Sequence, residues 1–214
     1  MKPTQSVFLA VAFLGFSTAA SHAQGMELDF ANLSSTAIQF NGSSDSFNLT
    51  TAGGFQWSIV ADTGGNNTAN GLSGSITGGP FSYGPITAQS APVSTLGELV
   101  ISDGSHNLTG TVNWVNVATL GVAVGVFNQN LAINVTDLAY TGSNPDLQAL
   151  VYNQDAILDL SFSFLPGKNL TQLSTGTGPY DTGFSGSIYS VPEPAPLALT
   201  AVGGLALLFY RRCK

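Results

Sequence analysis

Apolar and polar residues alternate with a period of two through most of this chain. Phe55, Trp57, Ile59 and Ala61 hold one phase, with Gln56, Ser58, Val60 and Asp62 between them. Leu131, Ile133 and Val135 alternate with Ala132, Asn134 and Thr136. Leu158, Leu160, Phe162 and Phe164 alternate with Ile157, Asp159, Ser161 and Ser163. Successive side chains of a strand point to opposite faces, so each segment predicts a strand with one buried and one wet face. Further strands are expected over 27–30, 37–40, 72–76, 98–102, 108–117, 120–127 and 184–189. Breakers separate them: Gly53-Gly54, the Asp62-Thr63-Gly64-Gly65-Asn66 stretch, Gly78-Gly79-Pro80, Asp103-Gly104, Asn144-Pro145 and Pro166-Gly167. No helical stripe stands out, and 171–182 reads as a loop. Short strands with regular turn signals predict an all-β fold, an antiparallel β-sandwich of jelly-roll-like form.

Two segments depart from this pattern. Near the start, Lys2 precedes an apolar run over 7–16, and Ser21-His22-Ala23 follows with small residues. That order predicts a secretory signal peptide over 1–23, removed by signal peptidase between Ala23 and Gln24. Near the other end, Val191-Pro192-Glu193-Pro194 leads into an uncharged apolar run over 197–210 and then Arg211-Arg212-Cys213-Lys214. Prolines 192, 194 and 196 lack amide hydrogens and disfavour helix before them, so this stretch is expected to be extended and accessible. Fourteen helical residues span about 21 Å, against a hydrocarbon core of about 30 Å. Ala195, snorkelling arginines and local bilayer thinning make up the difference, so a transmembrane helix is expected over 195–210. Arg211, Arg212 and Lys214 set the topology, staying cytoplasmic under the positive-inside rule. Gly203-Gly204 weakens the helix, as suits a temporary anchor.

In this order the three elements resemble the PEP-CTERM sorting signal of Gram-negative, biofilm-forming bacteria. Pro192, Glu193 and Pro194, following Val191, match its motif, and Arg211 and Arg212 match its basic end. Cys213 is not part of that pattern. The resemblance covers about 191–214. It implies recognition and processing by exosortase, an integral-membrane cysteine protease-like enzyme. It also implies an inner-membrane intermediate, then a cell-surface or extracellular-matrix location linked to exopolysaccharide and biofilm.

Three parts are therefore expected: the signal peptide 1–23, an exported domain 24–190 and a sorting tail 191–214. Charge sharpens the picture of the middle part. Lys168 is its only basic residue against eleven acids, a net of −10 where the whole chain carries −7. Such a surface repels nucleic acid and anionic lipid, which excludes nucleic-acid partners. Cys213 is the only cysteine, so the exported domain has no disulfide, thiolate ligand or cysteine nucleophile.

Candidate chemistry in that domain is sparse. With His22 lost alongside the signal peptide, His106 is the remaining histidine, and Asp103-Gly104-Ser105-His106-Asn107 reads as a hairpin turn rather than part of a Ser-His-Asp site. Glu98 with Asp103, or Asp155 with Asp159, are the carboxylate pairs a glycosidase would need, and Asp159 falls on the wet face of its strand. Asp62 and Asn66, in a Gly-rich Asp62–Asn67 stretch, offer oxygen ligands for calcium, although a plain turn explains them more simply; Asn144-Pro145-Asp146 is a weaker set. Trp57 and Trp114 share the phase of buried positions, so they are expected in the core rather than as sugar platforms. Asn-x-Ser/Thr triplets at Asn32, Asn41, Asn48, Asn66, Asn107, Asn134 and Asn169 reflect composition. The expectation is a non-enzymatic exported protein without a cofactor. One alternative is a carbohydrate-binding module using Tyr83, Tyr152 and Tyr180. Others are a hydrolase and a permanently membrane-anchored periplasmic protein.

Overall fold

Among the described residues, alternation resolves into thirteen strands. The computed structural model describes residues 25–123, 126–152 and 154–191, with their side chains except at 121–130. The signal peptide with its Ala23/Gln24 junction and everything beyond Val191, including the apolar 195–210, lie outside the described residues. The strands are β1 (Glu27–Asn32), β2 (Ile38–Phe40), β3 (Ser46–Leu49), β4 (Trp57–Thr63), β5 (Ser73–Thr77), β6 (Phe81–Ser82) and β7 (Ser90–Pro92). They continue with β8 (Leu96–Ser102), β9 (Asn107–Ala123), β10 (Val126–Ala139), β11 (Ala156–Ser163), β12 (Tyr180–Thr182) and β13 (Phe184–Ser190). Among the described residues two short α-helices interrupt them, α1 (Pro145–Val151) and α2 (Leu170–Thr175), with one 3-10 turn at Gly42–Ser44.

Eight strands close on themselves in the order β1-β4-β5-β8-β9-β10-β11-β13, and every neighbouring pair is antiparallel. The expected two-layer sandwich is therefore replaced by a barrel. Alternation shows which face of a strand is buried but not which strands pair. Here β1 bonds to both β4 and β13, and β10 to both β9 and β11, leaving no free edge in the ring. A second, four-stranded sheet, β12-β2-β3-β6, is built from the connections that leave one mouth of the barrel. The other mouth carries the β4–β5 loop, the β8–β9 turn and α1.

The interior is filled. An eight-stranded barrel is just wide enough for its inward side chains to meet. Leu28, Trp57, Leu99, Leu108, Val112, Leu131, Ile133, Val135, Leu158 and Ile188 are buried there, and the Phe30 and Trp57 rings lie 4.6 Å apart. Gly74 is required opposite Trp57, because a Cβ at that position would run into the indole ring. At the small-sheet end, Phe40, Phe47 and Phe81 form an aromatic plug against Trp114 and Phe162, with centroids 4.6–5.4 Å apart. Tilted and edge-on rings at these distances are the favoured arrangement.

Four local expectations need correction. The break expected at 118–119 does not occur: β9 runs through to Ala123 and pairs with β10 from Val126, because no proline or glycine interrupts it there. The loop expected over 171–182 contains the end of α2 and strand β12. Asn169 caps α2: its side chain accepts from the Gln172 amide, while the Gln172 side chain accepts from the Asn169 amide. Gln56, assigned to the wet face, is buried and bridges β3 to β5. Alternation places Asp62 outward, but a bulge shifts the register between Asp29 and Phe30, so that Phe30 pairs with Ile59 and Leu28 with Asp62. Paired residues share a face, so Asp62 turns to the side of buried Leu28.

Candidate functional site

The two ends of the folded unit meet at one place. Met26 N–H donates to Ser190 Oγ at 3.0 Å, and Ser190 N–H donates to the Met26 carbonyl at 2.9 Å. β1 and β13 are neighbours in the ring, so the first and last residues of the barrel leave from the same mouth. Val191 follows, 39% exposed, its amide donating to the Asp155 carbonyl at 3.4 Å. The compact unit spans Met26–Val191. Pro192, Glu193, Pro194, Arg211, Arg212 and Lys214 lie outside the described residues. Among the described residues no helix is long and apolar enough to cross a membrane.

At the same mouth Asp146 forms a buried polar centre. The sequence Asn144-Pro145-Asp146 starts α1 as helix chemistry dictates, with asparagine as cap, proline in the first turn and an acid after it. Asn144 Oδ1 accepts from the amides of Asp146 and Leu147, both at 3.1 Å. Asp146 itself is 0% exposed. Its Oδ1 accepts from the Asn66 amide at 2.7 Å and from Asn66 Nδ2 at 3.4 Å. Its Oδ2 accepts from Thr68 N at 2.5 Å, Thr68 Oγ1 at 2.6 Å and Ala69 N at 3.1 Å. Asn144 Nδ2 adds a bond to the Thr68 carbonyl at 2.9 Å. The β4–β5 loop is thus wrapped around one carboxylate contributed from far along the chain. Burial pushes the Asp146 carboxyl up, but the donors from Thr68 and Asn66 outweigh it and hold the group at about 2.

This arrangement bears on the calcium reading of Asp62 and Asn66. The fold does bring them together, and adds Asp146. Yet Asn66 presents two N–H donors to the centre, and Asp62 Oδ1 already accepts from the Asn67 amide at 3.1 Å. A calcium ion needs six to eight oxygen ligands. The residues present suit a hydrogen-bonded carboxylate better than a cation, and they do not fit calcium.

The remaining candidates sit apart from one another. His106 lies in the β8–β9 turn with its side chain 51% exposed. Asp103 Oδ1 accepts from Ser105 N at 2.7 Å and His106 N at 2.6 Å, the hydrogen bonds of a tight turn. Tyr140 donates to Asp103 Oδ2, and this bond with the two amides brings the carboxyl to about 2. His106 Nδ1 is 3.9 Å from the same oxygen, a turn contact rather than a nucleophile's base. Glu98 faces Thr111 across β8–β9 and lines a shallow cleft of about 220 Å3 with Thr109, Thr111 and Asp137, away from Asp103. Asp155 precedes β11, and Asp159, on the outer face of that strand, accepts from the Tyr189 hydroxyl at 3.4 Å. Trp57 and Trp114 are core residues, as their phase predicts. Of the three tyrosines, Tyr83 is buried, and desolvation, then Asp45, pushes its hydroxyl up to about 12. Tyr180 is half-buried with the Lys168 ammonium 4.5 Å from its ring centre, and Tyr152 is 86% exposed at the opposite mouth. The three do not form one surface.

Asp146, Asn144 and Tyr140 are the residues that sequence reasoning undervalued. The Asn-Pro-Asp start of a helix was the available signal. Compared with family models, curated proteins and solved structures, the chain matches none.

Proposed function

We propose that this chain is an exported, non-enzymatic protein of the cell surface or extracellular matrix, delivered by its C-terminal tail. The observation that carries the reading is the order of Val191-Pro192-Glu193-Pro194, the apolar 197–210 and Arg211-Arg212 in the sequence. In this proposal, signal peptidase cleaves at Ala23/Gln24, the segment 195–210 holds the exported barrel at the inner membrane, and exosortase then acts near Glu193. The fold supports it in one way: residues 26 and 190 leave the barrel side by side, so removing both flanking segments leaves its hydrogen-bonded ring whole. An association with exopolysaccharide is proposed on the tail alone. A polar, hydroxyl-rich surface with few charges is compatible with a hydrated glycan.

The experiment is fractionation of the native host carrying wild-type protein or a Pro192→Ala/Pro194→Ala variant. The wild type is expected in surface or matrix fractions and the variant is expected to accumulate, tail attached, in the inner membrane. Identical distribution of the two proteins would remove the sorting role of the motif. Retention of both in the membrane would instead favour permanent anchoring.

A further inference from the structure

We propose that Asp62 and Asp146 share one proton, which makes the clasp between the β4–β5 loop and α1 pH-dependent. The inference stands on the fold, independently of what happens to the tail. Asp62 reaches the barrel mouth because the β4 bulge turns it to the side of Leu28. Its Oδ1 accepts from the Asn67 amide, but its Oδ2 is buried and has no donor among the described residues. A buried carboxylate oxygen without a donor is costly. Asn67 donates to Asp62 while Asn66 and Thr68 on either side of it donate to Asp146, so the two carboxylates are neighbours. A proton on Asp62 Oδ2 settles both problems: it removes one of two adjacent charges and supplies a donor to Asp146. The deprotonated partner is identified by its surroundings, since Asp146 accepts five hydrogen bonds, while Asp62 accepts one from Asn67 and has the Ala69 amide nearby, itself bonded to Asp146.

Among the described residues, few titratable groups approach this pair. None of residues 64–72 in the loop is ionisable, and Asp146 is the only ionisable residue of α1. On β1, Glu27 and Asp29 flank Leu28, the residue registered against Asp62, and so take the opposite phase. From β13, Ser190 faces Met26, while Tyr189 bonds to Asp159. The Asp103–Tyr140 pair touches the centre through Asn144, whose amide donates to the Tyr140 hydroxyl at 3.1 Å.

The signs follow from the two directions. Burial raises the Asp62 carboxyl, and Asp146 adds to the rise, so its contribution to stability is present below the ordinary carboxylate range and is lost as pH climbs through its raised value. Asp146 is held down, so its contribution is present above that range and is lost only as pH falls toward about 2. The clasp is therefore tightest above the low value of Asp146 and below the raised value of Asp62, and it loosens as pH climbs through the latter, when two anions face each other.

Amide hydrogen exchange of the full chain in mild detergent, compared between about pH 4 and about pH 8 after correction for intrinsic rates, tests this. Protection of the Thr68 and Ala69 amides is expected to fall several-fold at the higher pH. Asp62→Asn, which carries its own N–H donor at every pH, is expected to keep the loop protected throughout. Asp146→Asn is expected to lower protection at both values. Loop protection independent of pH in the wild type, or an unchanged pH dependence in Asp62→Asn, overturns the proposal. So does recovery of protection on adding calcium, which would place a cation where we place the proton.

Discussion

Trp57→Ala is expected to destabilise the barrel by about 3–5 kcal/mol, the usual range for emptying a large aromatic site. Trp57 is fully buried, stacks at 4.6 Å on Phe30, and its ring lies where Gly74 leaves room for it. Neighbouring strands cannot close the gap, because each is held by ladder bonds on both sides. Trp57→Phe separates packing from polarity. The indole Nε1 has no acceptor among the described residues, so phenylalanine keeps most of the ring contact and removes a buried unpaired donor. That variant is expected to lose clearly less than the alanine one, since an unsatisfied buried donor costs about 1–3 kcal/mol. Urea unfolding of the three proteins, with equal m-values, provides the comparison. Equal losses for the two variants would show that ring packing in the barrel centre is not what Trp57 contributes.

Gln56→Leu is expected to cost about 2–4 kcal/mol although it adds apolar surface to a buried site, because two or more backbone groups lose partners worth about 1–3 kcal/mol each. Gln56 is 2% exposed. Its Nε2 donates to the Ile76 carbonyl at 2.9 Å and the Leu49 carbonyl at 3.2 Å, and its Oε1 accepts from the Ile76 amide at 2.7 Å. One amide group thus completes the hydrogen bonding of β5 and ties the small sheet to the barrel through β3. Thermal unfolding read by circular dichroism checks the loss, and Gln56→Glu extends it. A carboxylate keeps the acceptor for Ile76 N–H but turns two donors into lone pairs facing carbonyls. A neutral Gln56→Leu would mean that solvent reaches these groups and that the bridge is dispensable.

Gln56 and Asp62 also show how far the chain could be read in advance. Alternation placed Trp57, Ile59, Leu131, Ile133, Val135, Leu158, Leu160 and Phe162 in the core, and all of them are buried. It carried the strands because period two is a local consequence of the pleat. It could not carry ring closure, since the pairing of β1 with both β4 and β13 links distant residues. It misplaced Gln56 because a side chain just before β4 can turn inward to serve another strand's backbone. It misplaced Asp62 because one bulged residue inverts the phase after it, and nothing at Val60-Ala61 announces a bulge. Asp146 was hidden for a different reason. Its partners Asn66, Thr68 and Ala69 are ordinary loop residues whose importance exists only once the loop has folded over α1. The asparagines that crowd the sequence have comparable structural uses: Asn144 and Asn169 cap helices, and Asn32 Nδ2 bonds two carbonyls in the β1–β2 turn.

Mass spectrometry of the termini of the protein, recovered from envelope and culture-medium fractions of the native host, is the most direct measurement. A mature form that begins at Gln24, ends near Glu193 and lacks the apolar segment is expected outside the inner membrane. A single species that runs through Arg211-Arg212 to Lys214 and stays with the membrane would contradict delivery by a removable tail.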